Sequence, residues 1–388
     1  CNLWGVCLKA CSGHSVDFKI LSGEYLQWTA TSLYTGNYRK CYLGWSTDID
    51  LRFRSSSGGI ATALAQHVLG HTIVDRVLVV LPSSEQDPLD FRGFLISTKE
   101  EAEKAMGSKY CPVTMCGSLR EVHEGERIAI IGLPCHIQSI RKAQKNLNAF
   151  SKNPPLLIGL FCSVQMGRKG TQWFADKHGK DLKTLCRITY RGHGWPGNLI
   201  ASFTDGTEIM ESMKDYKDAK FHAYTPWRCK ECSDALSELA DISIGDAWLD
   251  EITSHDRLGS SMIITRSIRG EDVLLSAVNS NEIHVQPSSI EDAVRSQQGV
   301  LINKKSNIHG GMLMAGLLRR ARPVYDNIEI EKDYKEIISS FMYRLKREII
   351  WLVARRFIST RTLPIARRVL RLRHRYKSLN PSGTCGSR

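Results

Sequence analysis

The 388-residue chain has no uncharged apolar run near the roughly 20 residues that a helix needs to cross a bilayer. It shows no convincing internal repeat, so a stacked-repeat architecture is not expected. No Lys/Arg-led apolar leader opens it, which points away from secretion, and a start at Cys1 instead of Met suggests a truncated beginning. Acidic residues are nearly missing from one region. From Arg344 to Arg388 there are thirteen Lys/Arg and a single acid, Glu348, a net of +12. The whole chain carries +13, so the preceding body is near neutral, at about +1. An all-over nucleic-acid-binding surface is therefore not supported, and the tail has few aromatics interleaved with its arginines. What the chain does have is cysteine: twelve, too scattered for a small disulfide scaffold. In a reducing, cytoplasmic setting such residues serve as metal ligands, redox groups or small buried hydrophobes.

The patterning alternates between strand and helix through the first three hundred residues, which predicts an α/β architecture with a mixed or parallel sheet. Ser55-Ser-Ser-Gly-Gly59 reads as a glycine turn opening a helix. Buried strands are expected at Val74–Leu81, Arg127–Leu133 and Leu156–Phe161, with helices at Thr98–Met106 and from His136 to about Asn146. Further strand signals lie at 188–191, 200–203, 241–244, 261–265 and 282–285. Helices are expected at 212–222, near 271–278, and as one long element over 331–358. Four parts follow: a small degenerate ferredoxin-like segment at 1–45, an α/β part at 46–165, a second α/β part at 166–322, and a long helix with a basic tail at 323–388.

Four cysteines stand where metal-bound thiolates make sense. Cys135 ends RIAIIGLPC, Cys162 ends LLIGLFC, and Cys229 and Cys232 form a C-x2-C loop. Strand ends and a C-x2-C loop can converge four thiolates on an iron–sulfur cluster, and a tetrahedral zinc suits the same set. Pro134 sets Cys135 at a helix start, where the positive dipole end favours thiolate. At the N-terminus, Cys1, Trp4, Cys7 and Cys11 follow the C-x2-C-x2-C-x3-C-P spacing of a ferredoxin, with Trp4 and Ser12 replacing a ligand and the proline. Cys41 is the available fourth thiolate there; the alternative is a decayed segment that binds nothing. Cys111, Cys116, Cys186 and Cys385 read as structural or incidental.

Ser57, Gly58 and Gly59 form a candidate phosphate-binding turn or an ordinary N-cap. Gly107, Ser108, Lys109 and Tyr110 offer a cation and an aromatic face for a nucleotide or flavin, or form an ordinary helix exit. Gly245 and Asp246 end a strand, where a carboxylate faces a ligand or caps the next segment. His193, in a glycine-flanked loop, is the candidate for substrate contact or proton transfer. His136 reads as a surface histidine at a helix start.

Taken in order, SSSGGIATAL, GSKYCP, AIIGLPCHIQSIRKA, IGLFC, RCKECSDALSELADISIGDAW and the segment from Gly259 resemble the β-subunit family of coenzyme F420 (deazaflavin) hydrogenases and dehydrogenases. That family includes 7-hydroxymethyl chlorophyll a reductases of plants. The resemblance covers roughly residues 1–300. It implies an iron–sulfur flavoprotein oxidoreductase with FAD and a 4Fe-4S cluster, passing electrons to or from coenzyme F420 or another organic acceptor and working with a redox partner protein or ferredoxin. By position, Cys135, Cys162, Cys229 and Cys232 become the cluster ligands. Ser57, Gly58, Gly59, Thr62 and Gly107–Tyr110 line the flavin, and Gly245 and Asp246 border it. Lys109, Arg191 and Arg228 are candidate partners for an acidic deazaflavin tail.

The basic tail lies outside the family pattern. Residues 344–388, with Arg367, Arg368, Arg371, Arg373, Arg375 and Lys377, suit an anionic membrane surface at the inner face, an acidic partner, or plain solvation. An alternative function follows: a zinc- or cluster-stabilised non-catalytic module of surface-polysaccharide metabolism, held at the membrane by this tail.

Overall fold

Runs of aliphatic and β-branched residues become strands in the computed structural model, which describes residues 5–216, 223–328 and 334–357. In chain order the main strands are β1 (Lys40–Ser46), β2 (Arg76–Pro82), β3 (Phe91–Ile96), β4 (Val113–Thr114), β5 (Ile128–Gly132) and β6 (Leu156–Leu160). After them come β7 (Leu185–Thr189), β8 (Asn198–Phe203), β9 (Glu208–Ser212), β10 (Ile242–Asp246), β11 (Ser261–Thr265) and β12 (Ile283–Ser288). Nine of these form one sheet in the order β12-β1-β11-β10-β6-β5-β2-β3-β4. Its centre, β10-β6-β5-β2, is parallel. The antiparallel pairs β10-β11, β11-β1, β1-β12 and β2-β3 flank it. The sheet is mixed, and the α/β class expected from the alternation holds.

Both faces of the parallel centre are covered, which is why these strands read as continuous apolar runs. On one face α1 (Ile60–Gly70) buries Leu64 and Val68 against Val77, Ala129, Ile158 and Ile242. On the other, α2 (Pro134–Leu147) buries Ile137 and Ile140 against Leu78, Ile130 and Leu157. The neighbours Val77 and Leu78 thus serve opposite cores, as the two-residue strand period requires. A smaller antiparallel sheet, β7-β8-β9, packs Leu185, Leu199 and Phe203 on Phe174 of α3 (Arg168–Lys177). The remaining helices that matter for the site are α4 (Ile268–Asn279), α5 (Ile308–Leu317) and α6 (Tyr334–Phe357).

Three expectations need correction. The boundary at 45/46 cuts through β1, and the one at 165/166 divides strands of a single sheet. The helix expected over 212–222 begins as the end of β9, with only Met213–Tyr216 helical; 217–222 lie outside the described residues. A strand at Phe91–Ile96 went unread, because it pairs antiparallel with β2 and alternates buried Phe91 and Gly93 with exposed Arg92 and Phe94. Cys1, Trp4, Cys385 and the arginine patch from Arg367 to Lys377 lie outside the described residues. Among the described residues, no helix is long and apolar enough to cross a membrane.

Candidate functional site

Adjacent parallel strands set the first two cysteines side by side. β5 leads through Leu133 into α2, whose second residue is Cys135; β6 leads through Phe161 to Cys162, whose N–H donates to Ala235 O at 2.9 Å. Cys229 sits in the short helix Trp227–Lys230, and Cys232 follows with its thiol donating to Asp234 O at 3.4 Å. Each of the four sulfurs is an electrostatic neighbour of the other three. Burial pushes the Cys135 and Cys162 thiols up to about 12, and the nearby sulfurs add to the rise. Without a counter-charge such a nest of thiolates is costly. Buried Lys304 lies 3.5 Å from Cys232 Sγ and 2.7 Å from Asp234 O. The Arg228 guanidinium acts on Cys232 and Cys135 while donating to Ser12 O at 2.6 Å.

Among the described residues, the ligating atoms that gather in threes within 4.8 Å of one another are those of His67, His71 and Glu282. By the chemistry of its donors the four-thiol set suits either a tetrahedral zinc or an iron–sulfur cluster. The histidine group is already satisfied: His67 Nδ1 meets Glu282 at 2.6 Å and its Nε2 meets Ser276 Oγ at 3.0 Å.

Beside the cysteines opens a cavity of about 740 Å³, and Cys162, Cys229 and Lys304 form part of its wall. Ser57, Gly59, Thr62, Gly107, Ser108, Lys109, Tyr110, Gly245 and Asp246 all line it. Gly59 adopts φ 78° to turn the chain into α1, and a Cβ there would lie 2.7 Å from Leu51 Cδ2. The neighbouring loops are tied by Ser108 N–H donating to Ser56 Oγ at 2.8 Å and by Ser57 Oγ donating to Ser260 O at 2.8 Å.

Gly58 and His193 fall outside this cavity's wall. Gly58 is spent on packing: its N–H donates to Ser261 Oγ at 3.1 Å, and a Cβ would lie 2.7 Å from Gly44 O. His193 is exposed, its ring edge-on to Phe53 at 5.8 Å, away from the wall of this cavity. His136 errs in the other direction. It lines the cavity, with Nδ1 accepting from Leu133 N–H at 3.3 Å and burial pulling its pKa down to about 4.

The three cations considered for an acidic tail are engaged elsewhere. Lys109 is half-buried, desolvation pulls its pKa down to about 8, and it donates to Met106 O at 2.8 Å and Gly107 O at 2.9 Å. Arg191 forks onto Asp246 at 2.7 and 2.5 Å, and Trp195 Nε1 donates to the same carboxylate at 2.8 Å. Arg228 belongs to the cysteine nest. Asn303, Arg344 and Arg347 also line the cavity, and no local sequence signal marks them. Among the described residues, Cys7, Cys11 and Cys41 do not share one burial environment. Cys7 and Cys11 are exposed, while Cys41 is buried among Leu236, Met262 and Val294, with its thiol pushed up to about 12 by burial.

Two halves of one family match the body of the chain. The N-terminal part of the coenzyme F420 hydrogenase/dehydrogenase beta subunit matches residues 41–120, and the C-terminal part matches residues 125–291. The chain belongs to this family. It is 26% identical over 263 residues to coenzyme F420 hydrogenase subunit beta of Methanothermobacter thermautotrophicus, covering 65% of this chain and 85% of that protein. It is 27% identical over 298 residues to the coenzyme F420-dependent sulfite reductase of Methanocaldococcus jannaschii, covering 71% of this chain and 43% of that longer protein. A chain of the F420-reducing [NiFe] hydrogenase complex from Methanosarcina barkeri shares the fold. Its TM-score is 0.57 at 22% identity, over 71% of this chain and 93% of that one.

Proposed function

We propose that this family member is an iron–sulfur flavoprotein oxidoreductase. Cys135, Cys162, Cys229 and Cys232 would hold a 4Fe-4S cluster, the adjoining cavity would hold FAD, and coenzyme F420 or a similar organic molecule would be the two-electron substrate. The observation that carries this reading is the shared wall: two of four mutually neighbouring cysteines line the same cavity as the Ser57–Gly59 turn. When bound, the cluster supplies single-electron transfer and the flavin stores two electrons.

The chain's own residues supply position and charge. Lys304 and Arg228 offset the negative charge of four thiolates in a buried place. The turn at Gly59 and the first residues of α1 line the cavity, and a helix start with its free N–H groups suits a diphosphate. A volume of about 740 Å³ lies within the roughly 300–1,000 Å³ typical of ligand pockets. Asp246 and Arg191 lock one edge of the cavity by a bidentate pair. His136, with Nδ1 occupied as an acceptor, carries its proton on Nε2. The relatives named for coenzyme F420 support the substrate class, and the likeness to a hydrogenase complex supports a redox partner protein. Anaerobic purification with iron, sulfide, zinc and flavin quantified tests the proposal. About four iron and one FAD per chain are expected; stoichiometric zinc without flavin would overturn it.

A further inference from the structure

The family match ends at residue 291, yet the cavity wall continues into the chain that follows. α5 and α6 cross where glycine permits contact of their backbones: a Cβ on Gly310 would lie 2.4 Å from Phe341 N. Ser340 Oγ fastens the crossing, accepting from Gly310 N–H at 3.1 Å and donating to Asn307 O at 2.9 Å. One turn further along α6 comes Arg344, and after it Arg347, both in the cavity wall.

Arg344 is only 9% exposed, and its Nη2 donates to Asn303 O at 3.0 Å. Its Nε–H is buried with no hydrogen-bond partner. Arg347 Nη1 donates to Asn303 Oδ1 at 3.2 Å and to Tyr343 OH at 2.8 Å, so Asn303 orients both guanidinium groups. The acids whose charge reaches Arg344 have other partners: Glu348 holds Lys230 at 2.6 Å, and Glu231 accepts from Trp227 Nε1 at 2.5 Å. A buried guanidinium with an unsatisfied donor beside a cavity is costly unless an acceptor arrives, and the acceptor that suits it best is an oxyanion.

We propose that Arg344 and Arg347, oriented by Asn303, form an oxyanion subsite for a carboxylate or phosphate group of the two-electron substrate. This rests on the redox reading of the cavity and names what its C-terminal wall recognises. The test titrates citrate and inorganic pyrophosphate into the anaerobically purified holoprotein by calorimetry, in the wild type and in Arg344→Gln, Arg347→Gln and Arg344→Lys. Each glutamine variant is expected to weaken anion binding about tenfold or more, with iron and FAD content unchanged and the lysine variant in between. Tighter binding of citrate identifies the group as carboxylate, and tighter binding of pyrophosphate identifies it as phosphate. Equal affinities in wild type and variants, or no binding of either anion to the wild type, would overturn the proposal. Loss of FAD from the glutamine variants would overturn it too, by assigning the guanidinium pair to the flavin diphosphate. Should the variants not fold, citrate protection of Arg344 from phenylglyoxal in the wild type, measured by peptide mass, decides the question; no protection rejects the subsite. A preparation without iron or flavin would sink the redox reading, while the anion titration reports on the subsite independently.

Discussion

The cavity has two walls of different origin. One is built from the family-matched body: Cys162, Cys229, the Ser57–Gly59 turn, Gly107–Tyr110 and Asp246. The other comes from chain beyond residue 291: Asn303, Lys304, Arg344 and Arg347. The first wall carries ligand-type residues on strand ends and glycine turns. The second carries cations delivered by helices, and it is held in place by the contact of Gly310 with Ser340 and Phe341.

The division is easiest to break at its strongest point. Cys229→Ser should abolish the visible iron–sulfur absorption while FAD stays bound, and Cys41→Ser, a core position, should leave the cluster intact. A cluster that survives the first change or is lost in the second would end the distinction between the two cysteine classes. Next in size, Asp246→Asn leaves the Arg191 guanidinium buried without its counter-charge and should lower stability by about 3 kcal/mol in denaturant titrations of the holoprotein. No measurable loss would show that the pair is not needed at that edge.

On the second wall the expected changes are adjustments. Lys304→Met removes a buried positive charge beside Cys232, so the oxidised, less negative cluster is favoured. The reduction potential should fall by on the order of 100 mV in a spectroelectrochemical titration. Outright loss of the cluster would make Lys304 part of the first wall. Gly310→Ala forces a methyl group against the α6 backbone and should cost about 1–3 kcal/mol, read in the same denaturant experiment. The smallest effect on redox behaviour, none, is expected from ending the chain at residue 357. That truncation should abolish salt-sensitive sedimentation with anionic liposomes if the basic tail holds a membrane surface, where each basic residue contributes about 1 kcal/mol. Sedimentation that is unchanged would remove the membrane from consideration.

Most of the first wall was legible before any fold was known. Strand ends and C-x2-C spacing single out Cys135, Cys162, Cys229 and Cys232 among the twelve cysteines, and glycine turns, a strand end and the family resemblance together mark nine lining residues of the cavity. The errors have physical causes. Gly58 looks like its neighbour Gly59, but only the backbone path shows that it is pressed against Gly44. His193 sits in a loop of the right composition, yet that loop carries its ring to Phe53. His136 was read as a surface residue because a helix start is usually wet; here the start lies beneath the cavity.

By itself the sequence determined the α/β class and the placement of buried strands, because these depend on local periodicity, and it singled out four candidate sulfur ligands by the side chains that can bind metal. Tertiary structure alone decided which cations answer those sulfurs and which arginines reach the cavity. Lys304 and Arg344 are far from Cys232 along the chain and come to the same chamber only through helix packing. No local pattern encodes such a meeting.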